Sequence, residues 1–91
     1  MKKQTIWKYP LEFEDVQTIQ MPIGAEILTA QIQDGKPCLW AVVDPEKENK
    51  PRFIQIFATG YPMPGISLDR KYIASIQIGR KTYHVFEYVP F

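Results

Sequence analysis

Apolar and polar residues alternate along most of this chain with a period of two, the pattern of strands that bury one face. "AEILTAQIQ" (Ala25–Gln33) shows it most cleanly, with Leu28, Ala30 and Ile32 inward and Thr29, Gln31 and Gln33 outward. In "QTIWKY" (Gln4–Tyr9), Ile6 lies on one side and Trp7 and Tyr9 on the other, and Pro10 either stops the strand or places it on an edge. "VQTIQM" (Val16–Met21) runs up to Pro22. "CLWAVVD" (Cys38–Asp44) is continuously apolar, which predicts a central strand covered on both faces. "RFIQIFAT" (Arg52–Thr59), "KYIASIQI" (Lys71–Ile78) and "TYHVFEYV" (Thr82–Val89) complete seven predicted strands.

Turn chemistry supports that division. Asp34-Gly35 supplies the positive φ angles of a tight hairpin, so Ala25–Gln33 is predicted to pair with Cys38–Asp44. "PEKENKP" (Pro45–Pro51) reads as an exposed loop between prolines, and "FATGYPMPGISLDRKY" (Phe57–Tyr72) as a wide connection. Only Leu11–Asp15 has room for a helical turn. The expected fold is all-β: one domain over residues 1–91, a compact antiparallel sandwich or a partly open barrel.

A chain of 91 residues, 45% of them hydrophobic, has enough material for one core but not for a deep private pocket as well. A ligand site is therefore expected as a shallow groove, a loop cradle or a subunit interface. The formal net charge of +1 argues against a strongly electrostatic partner such as nucleic acid. Trp7, Tyr9, Tyr72 and Tyr83 are the aromatics that an oligonucleotide would need as stacking platforms. The lone Cys38 permits no internal disulfide and reads as a small buried hydrophobe. A cytoplasmic location is the expectation, and no apolar run is long enough for a membrane helix. One histidine and scattered carboxylates do not make a metal site. Neither a phosphate-binding glycine loop nor a nucleophile elbow is present, so no enzyme activity and no cofactor are expected. Strand candidates at both termini leave sheet edges to cover, which predicts a homo-oligomer with Trp7 or Phe91 near its interface.

The wide connection carries the candidate chemistry. Thr59 offers a hydroxyl, Gly60 a backbone that a ligand can approach closely, Tyr61 a stacking face and Arg70 a two-pronged donor for phosphate or carboxylate. His84 is a further candidate partner. The structural alternative is a proline-stiffened crossover with no ligand.

Three segments, "TIWKYPL", "MPIGAEILTAQIQDGKPCLWAVVDP" and "YIASIQIGRKTYHVFE", together resemble a family of small, functionally unassigned proteins of bacteriophages and prophages. The shared features include Trp7, Pro10, Pro22, Gly24, Ala25, Leu39, Trp40, Asp44, Pro45, Thr59, Gly60 and the closing His84, Phe86 and Glu87. The resemblance implies a phage-encoded accessory protein acting in an infected bacterial host. Such proteins are similar in scale to counter-defence proteins. By that analogy the expected function is a non-enzymatic sponge that sequesters a small nucleotide-derived immune signal. Two alternatives stand beside it: a protein–protein inhibitor of a host defence factor, acting through a sheet edge or aromatic patch, and a structural accessory without a ligand.

Overall fold

The computed structural model describes residues 3–13, 16–63 and 69–89. Every regular element in them is a strand: β1 (Thr5–Pro10), β2 (Val16–Pro22), β3 (Glu26–Gln33), β4 (Lys36–Val43), β5 (Asn49–Ala58), β6 (Asp69–Ile78) and β7 (Lys81–Val89). They form a three-stranded sheet, β1-β4-β3, and a four-stranded sheet, β2-β5-β7-β6, antiparallel throughout. The sheets run close together along β3 and β6 without ladder hydrogen bonds, so the barrel is not closed. Leu11–Phe13 are not helical. Glu14 and Asp15, like Gly65, Ser67 and Phe91, lie outside the described residues.

The expected hairpin is present. Asp34 (φ 52°) and Gly35 (φ 77°) form a two-residue turn between Gln33 and Lys36, both in the left-handed region that such a turn requires. β4 then runs through the middle of its sheet. Its inward row, Leu39, Ala41 and Val43, is fully buried against Ile54 and Ile56 of β5 and Val85 of β7. Each of the larger side chains contributes about 1.5–3 kcal/mol by leaving water. The outward row is covered less than the unbroken apolar run suggests: Cys38 is buried, but Trp40 and Val42 are only half-buried.

Two bulges change the expected faces. Ile27 opposes Ala41 and Thr29 opposes Trp40, leaving Leu28 as the extra residue. Leu28 is consequently 45% exposed, and Ile27 packs on the core in the inward role predicted for Leu28. In β6, Ile73 is the extra residue between Tyr72, opposite Phe86, and Ala74, opposite Val85. A third difference concerns Pro45–Pro51. β5 already begins at Asn49, and Pro51 lies in the strand opposite Gln20. Pro51 is tolerated there because β7 pairs with β5 only from Phe53 onward, so nothing on that side requires its missing N–H.

The chain crosses between sheets at a corner following β2. Met21 and Pro22 are buried, Gly24 turns the backbone at φ 83°, and Ala25 N–H donates to Pro22 O at 3.1 Å. Arg52 of β5 secures this corner. Its Nη1 donates to Ala25 O at 2.9 Å, while Nη2 donates to Glu87 Oε1 at 3.1 Å and Nε to Glu87 Oε2. Both side chains are largely covered, at 18% and 12% exposure, so each depends on the other for solvation.

Two outcomes are expected. Glu87→Ala leaves a largely covered guanidinium without its carboxylate and destabilises by about 2–3 kcal/mol in urea unfolding, somewhat below the cost for a fully buried pair. The buried Tyr9 hydroxyl has no hydrogen-bond partner, and burial raises its pKa above the ordinary value. Tyr9→Phe is therefore expected to stabilise by about 1 kcal/mol. Above pH ~10 the unfolded chain ionises Tyr9 first, so the wild type loses stability there more steeply than Tyr9→Phe does.

Candidate functional site

The end of β5 and the start of β7 enclose a groove of about 470 Å³. Ile56, Ala58 and Tyr83 contribute from the core-facing side of the four-stranded sheet, and Thr59 and Tyr61 from the turn after β5. Phe13, in the β1–β2 connection, packs on Tyr83 with ring centroids 5.0 Å apart. Arg80 and Lys81 supply the polar rim.

Local geometry explains these positions. Tyr61 N–H donates to Ala58 O at 3.1 Å, closing a β-turn whose third residue is Gly60 at φ 89°. A Cβ there would meet nothing within 4 Å, so the backbone conformation rather than crowding calls for glycine. Gly79 (φ 59°) opens a two-residue turn between Ile78 and Lys81, which fixes Arg80 at the tip of the β6–β7 hairpin. Among the described residues, neither Arg80 nor Lys81 has an ion pair or a side-chain hydrogen bond. Two positive charges therefore flank a partly aromatic groove.

The expected site residues are divided between two places. Thr59 and Tyr61 line the groove, and Gly60 shapes the turn between them. Arg70 does not lie in a loop: it belongs to β6, opposite Tyr88. The strand begins at Asp69 because the ladder with β7 extends to Val89. Arg70 sits on the face of the four-stranded sheet turned away from the core, where its Nε donates to Gln55 Oε1 at 2.9 Å and its Cζ lies 5.7 Å from the Phe57 ring centre. An aromatic row continues across that face through the Phe57–Phe86, Tyr72–Phe86 and Phe53–Tyr88 contacts. It explains how Gln55 and Phe57 are buried on an outer face.

His84 also lies on this outer face, but it connects to the groove. Its Nε2 is 2.7 Å from Thr59 Oγ1, its Nδ1 is 2.9 Å from Ser75 Oγ, and Ser75 Oγ is 2.8 Å from Tyr72 OH. Thr59 donates its own hydroxyl hydrogen to Thr82 O at 3.2 Å. That leaves Thr59 as acceptor from His84 Nε2–H, so Nδ1 accepts from Ser75 and Ser75 accepts from Tyr72. Tyr72 and Ser75 were not among the expected site residues. In a regular strand they face opposite ways; the bulge at Ile73 brings them together. Glu87, on the opposite face of β7 from His84, serves the corner rather than the groove.

The possible stacking residues do not form one row. Trp7 and Tyr9 share the inward face of the three-stranded sheet, Tyr83 faces the core from β7, and Tyr72 is on the far side of its sheet. Among the described residues no group of three His, Cys, Asp or Glu side chains could hold a metal ion, and no helix is long and apolar enough to cross a membrane.

Arg70→Ala removes a partner from a buried amide, so it is expected to cost about 1–3 kcal/mol of stability while leaving groove binding intact. For His84, nitrogen-15 NMR of neutral protein should show Nε2 protonated and Nδ1 as acceptor. The opposite tautomer would contradict the hydrogen-bond order.

A family model described as a domain of unknown function, DUF7352, matches residues 2–90. No curated protein and no solved structure matches the chain.

Proposed function

The chain belongs to the DUF7352 family, and we propose that it is a non-enzymatic binding protein whose groove takes a small, planar, anionic ligand of nucleotide type. The observation that carries this reading is the pairing of two uncommitted cations, Arg80 and Lys81, with the aromatic faces of Tyr61, Phe13 and Tyr83 around one cleft. A phosphate recruits the first kind of group and a base or similar ring the second. Thr59 lines the same groove, and its hydroxyl is held by His84 and Thr82. The volume falls in the usual range for small-ligand sites, roughly 300–1,000 Å³.

The resemblance to phage and prophage proteins supplies the biological setting. In it, the protein binds a nucleotide-derived immune signal inside an infected bacterium and keeps it from its receptor. The roles first expected of Arg70 and His84 change: Arg70 stiffens the outer face, and His84 orients Thr59 from behind.

The test is calorimetric titration with mononucleotides, cyclic nucleotides and ADP-ribose-type ligands, together with native mass spectrometry of protein purified from its host. Arg80→Ala with Lys81→Ala is expected to lower affinity at least about a hundredfold, since each charged hydrogen bond contributes about 1.5–3 kcal/mol. Both side chains are exposed at a hairpin tip, so melting temperature should hardly change. If no nucleotide binds the wild type more tightly than about 10 μM, roughly −7 kcal/mol, the sponge reading fails and inhibition of a host protein becomes the better account.

A further inference from the structure

We propose that the edge of β1, unpaired among the described residues, is a self-association surface, on which a second copy of this chain adds its own β1 antiparallel across a two-fold axis. This inference is independent of the groove and of any ligand.

Hydrogen-bond parity shows which backbone groups are available. Leu11 N–H donates to Pro37 O at 2.9 Å, and Leu11 and Pro37 continue the register in which Thr5 faces Val43 and Tyr9 faces Leu39. In an antiparallel ladder such bonds recur at every second residue. Thr5, Trp7 and Tyr9 therefore direct their N–H and C=O toward β4, and Ile6 and Lys8 direct theirs away from the sheet. Pro10 also falls on the outward parity, where it has no N–H to offer, so the available edge ends there.

The protection against pairing along this edge is slight, since Pro10 closes only its end. Ile6 is 56% exposed and Trp7 41% exposed, on opposite faces of the strand. The one charge, Lys8, is drawn back across the sheet by a 2.7 Å hydrogen bond to Gln33 Oε1. A strand with free backbone groups, exposed apolar side chains and one restrained charge is a template for another strand. The opposite edge of the same sheet, β3, is sheltered by β6.

A second copy fits because the strand is nearly self-complementary. Outward groups must meet outward groups, which leaves three two-fold registers. Centring on Lys8 sets two ammonium groups opposite each other. Centring on Ile6 leaves each Trp7 opposite a Thr5. Centring on Trp7 sets each Ile6 against the stem of the partner's Lys8 and gives the two Trp7 residues a non-hydrogen-bonded pair, where opposed Cα atoms are only about 4.5 Å apart. The geometry points to this last register. It makes a continuous six-stranded sheet, β3-β4-β1-β1-β4-β3, with the paired indoles on its inward face.

Sizing with light scattering on the full chain is expected to give twice 10.6 kDa at tens of micromolar. Lys8→Pro removes an outward N–H and none of the bonds to β4, so it should weaken the dimer at least about tenfold while the folded signal persists. In a Cys38→Ala background, Trp7→Cys should cross-link to itself under mild oxidation and Ile6→Cys should not. A monomeric wild type, an unaffected Lys8→Pro dimer, or cross-linking of Ile6→Cys instead of Trp7→Cys would each overturn the proposal.

Discussion

The guanidinium of Arg52 is the point on which the two-sheet arrangement turns. It reaches Glu87 in the central strand β7 and the carbonyl of Ala25 at the entry to β3. It thereby joins one sheet to the place where the chain leaves it for the other. Apolar contact between Leu39, Ala41, Val43 and Ile54, Ile56, Val85 supplies most of the driving force, but that force is non-directional. The charged hydrogen bonds add direction by fixing how the corner at Gly24 sits over the end of β5.

Two other cations are also committed to structure. Arg70 is committed to the outer face of the four-stranded sheet, bonded to Gln55 and lying over Phe57. Lys8 is held by Gln33. Arg80 and Lys81 project from a hairpin tip with no such commitment, beside the groove. These two charges give a near-neutral chain a small positive rim beside the groove. Thr59 joins the two faces of the sheet: its backbone belongs to the turn at the groove, while its hydroxyl meets His84 on the outer side.

The strands and the Asp34-Gly35 hairpin were legible because period-two alternation and positive-φ turn residues are local signals. The bulges at Leu28 and Ile73 were not, because a bulge inserts one residue without altering local composition. The first reversed Leu28, and the second assembled the Tyr72–Ser75–His84 chain. Prolines concealed the start of β5, since their usual exclusion from strands lapses where a neighbouring strand stops short. The placement of Arg70 depended on how far β6 follows β7, which is a property of the pair rather than of either segment. The turn that carries Thr59 and Tyr61 was legible because glycine and proline mark it locally. Arg80 and Lys81 looked like an ordinary charged hairpin until the fold set them beside Tyr83.

The order of strands also governs how the chain reaches this state. Among the described residues only β3–β4 and β6–β7 are hairpins between neighbours; β1–β4, β2–β5 and β5–β7 join segments separated by other strands. A hairpin forms in about 1–10 μs, whereas topologies dominated by distant pairings fold in milliseconds to seconds because loops must close before contacts reward them. In that interval the open sides of β4 and β7, both interior strands of their sheets, await β1 and β5. Any other chain that arrives first competes for the same backbone groups. The yield of native protein at high concentration is therefore set by a race between intramolecular closure and encounter, more than by the stability of the finished sandwich.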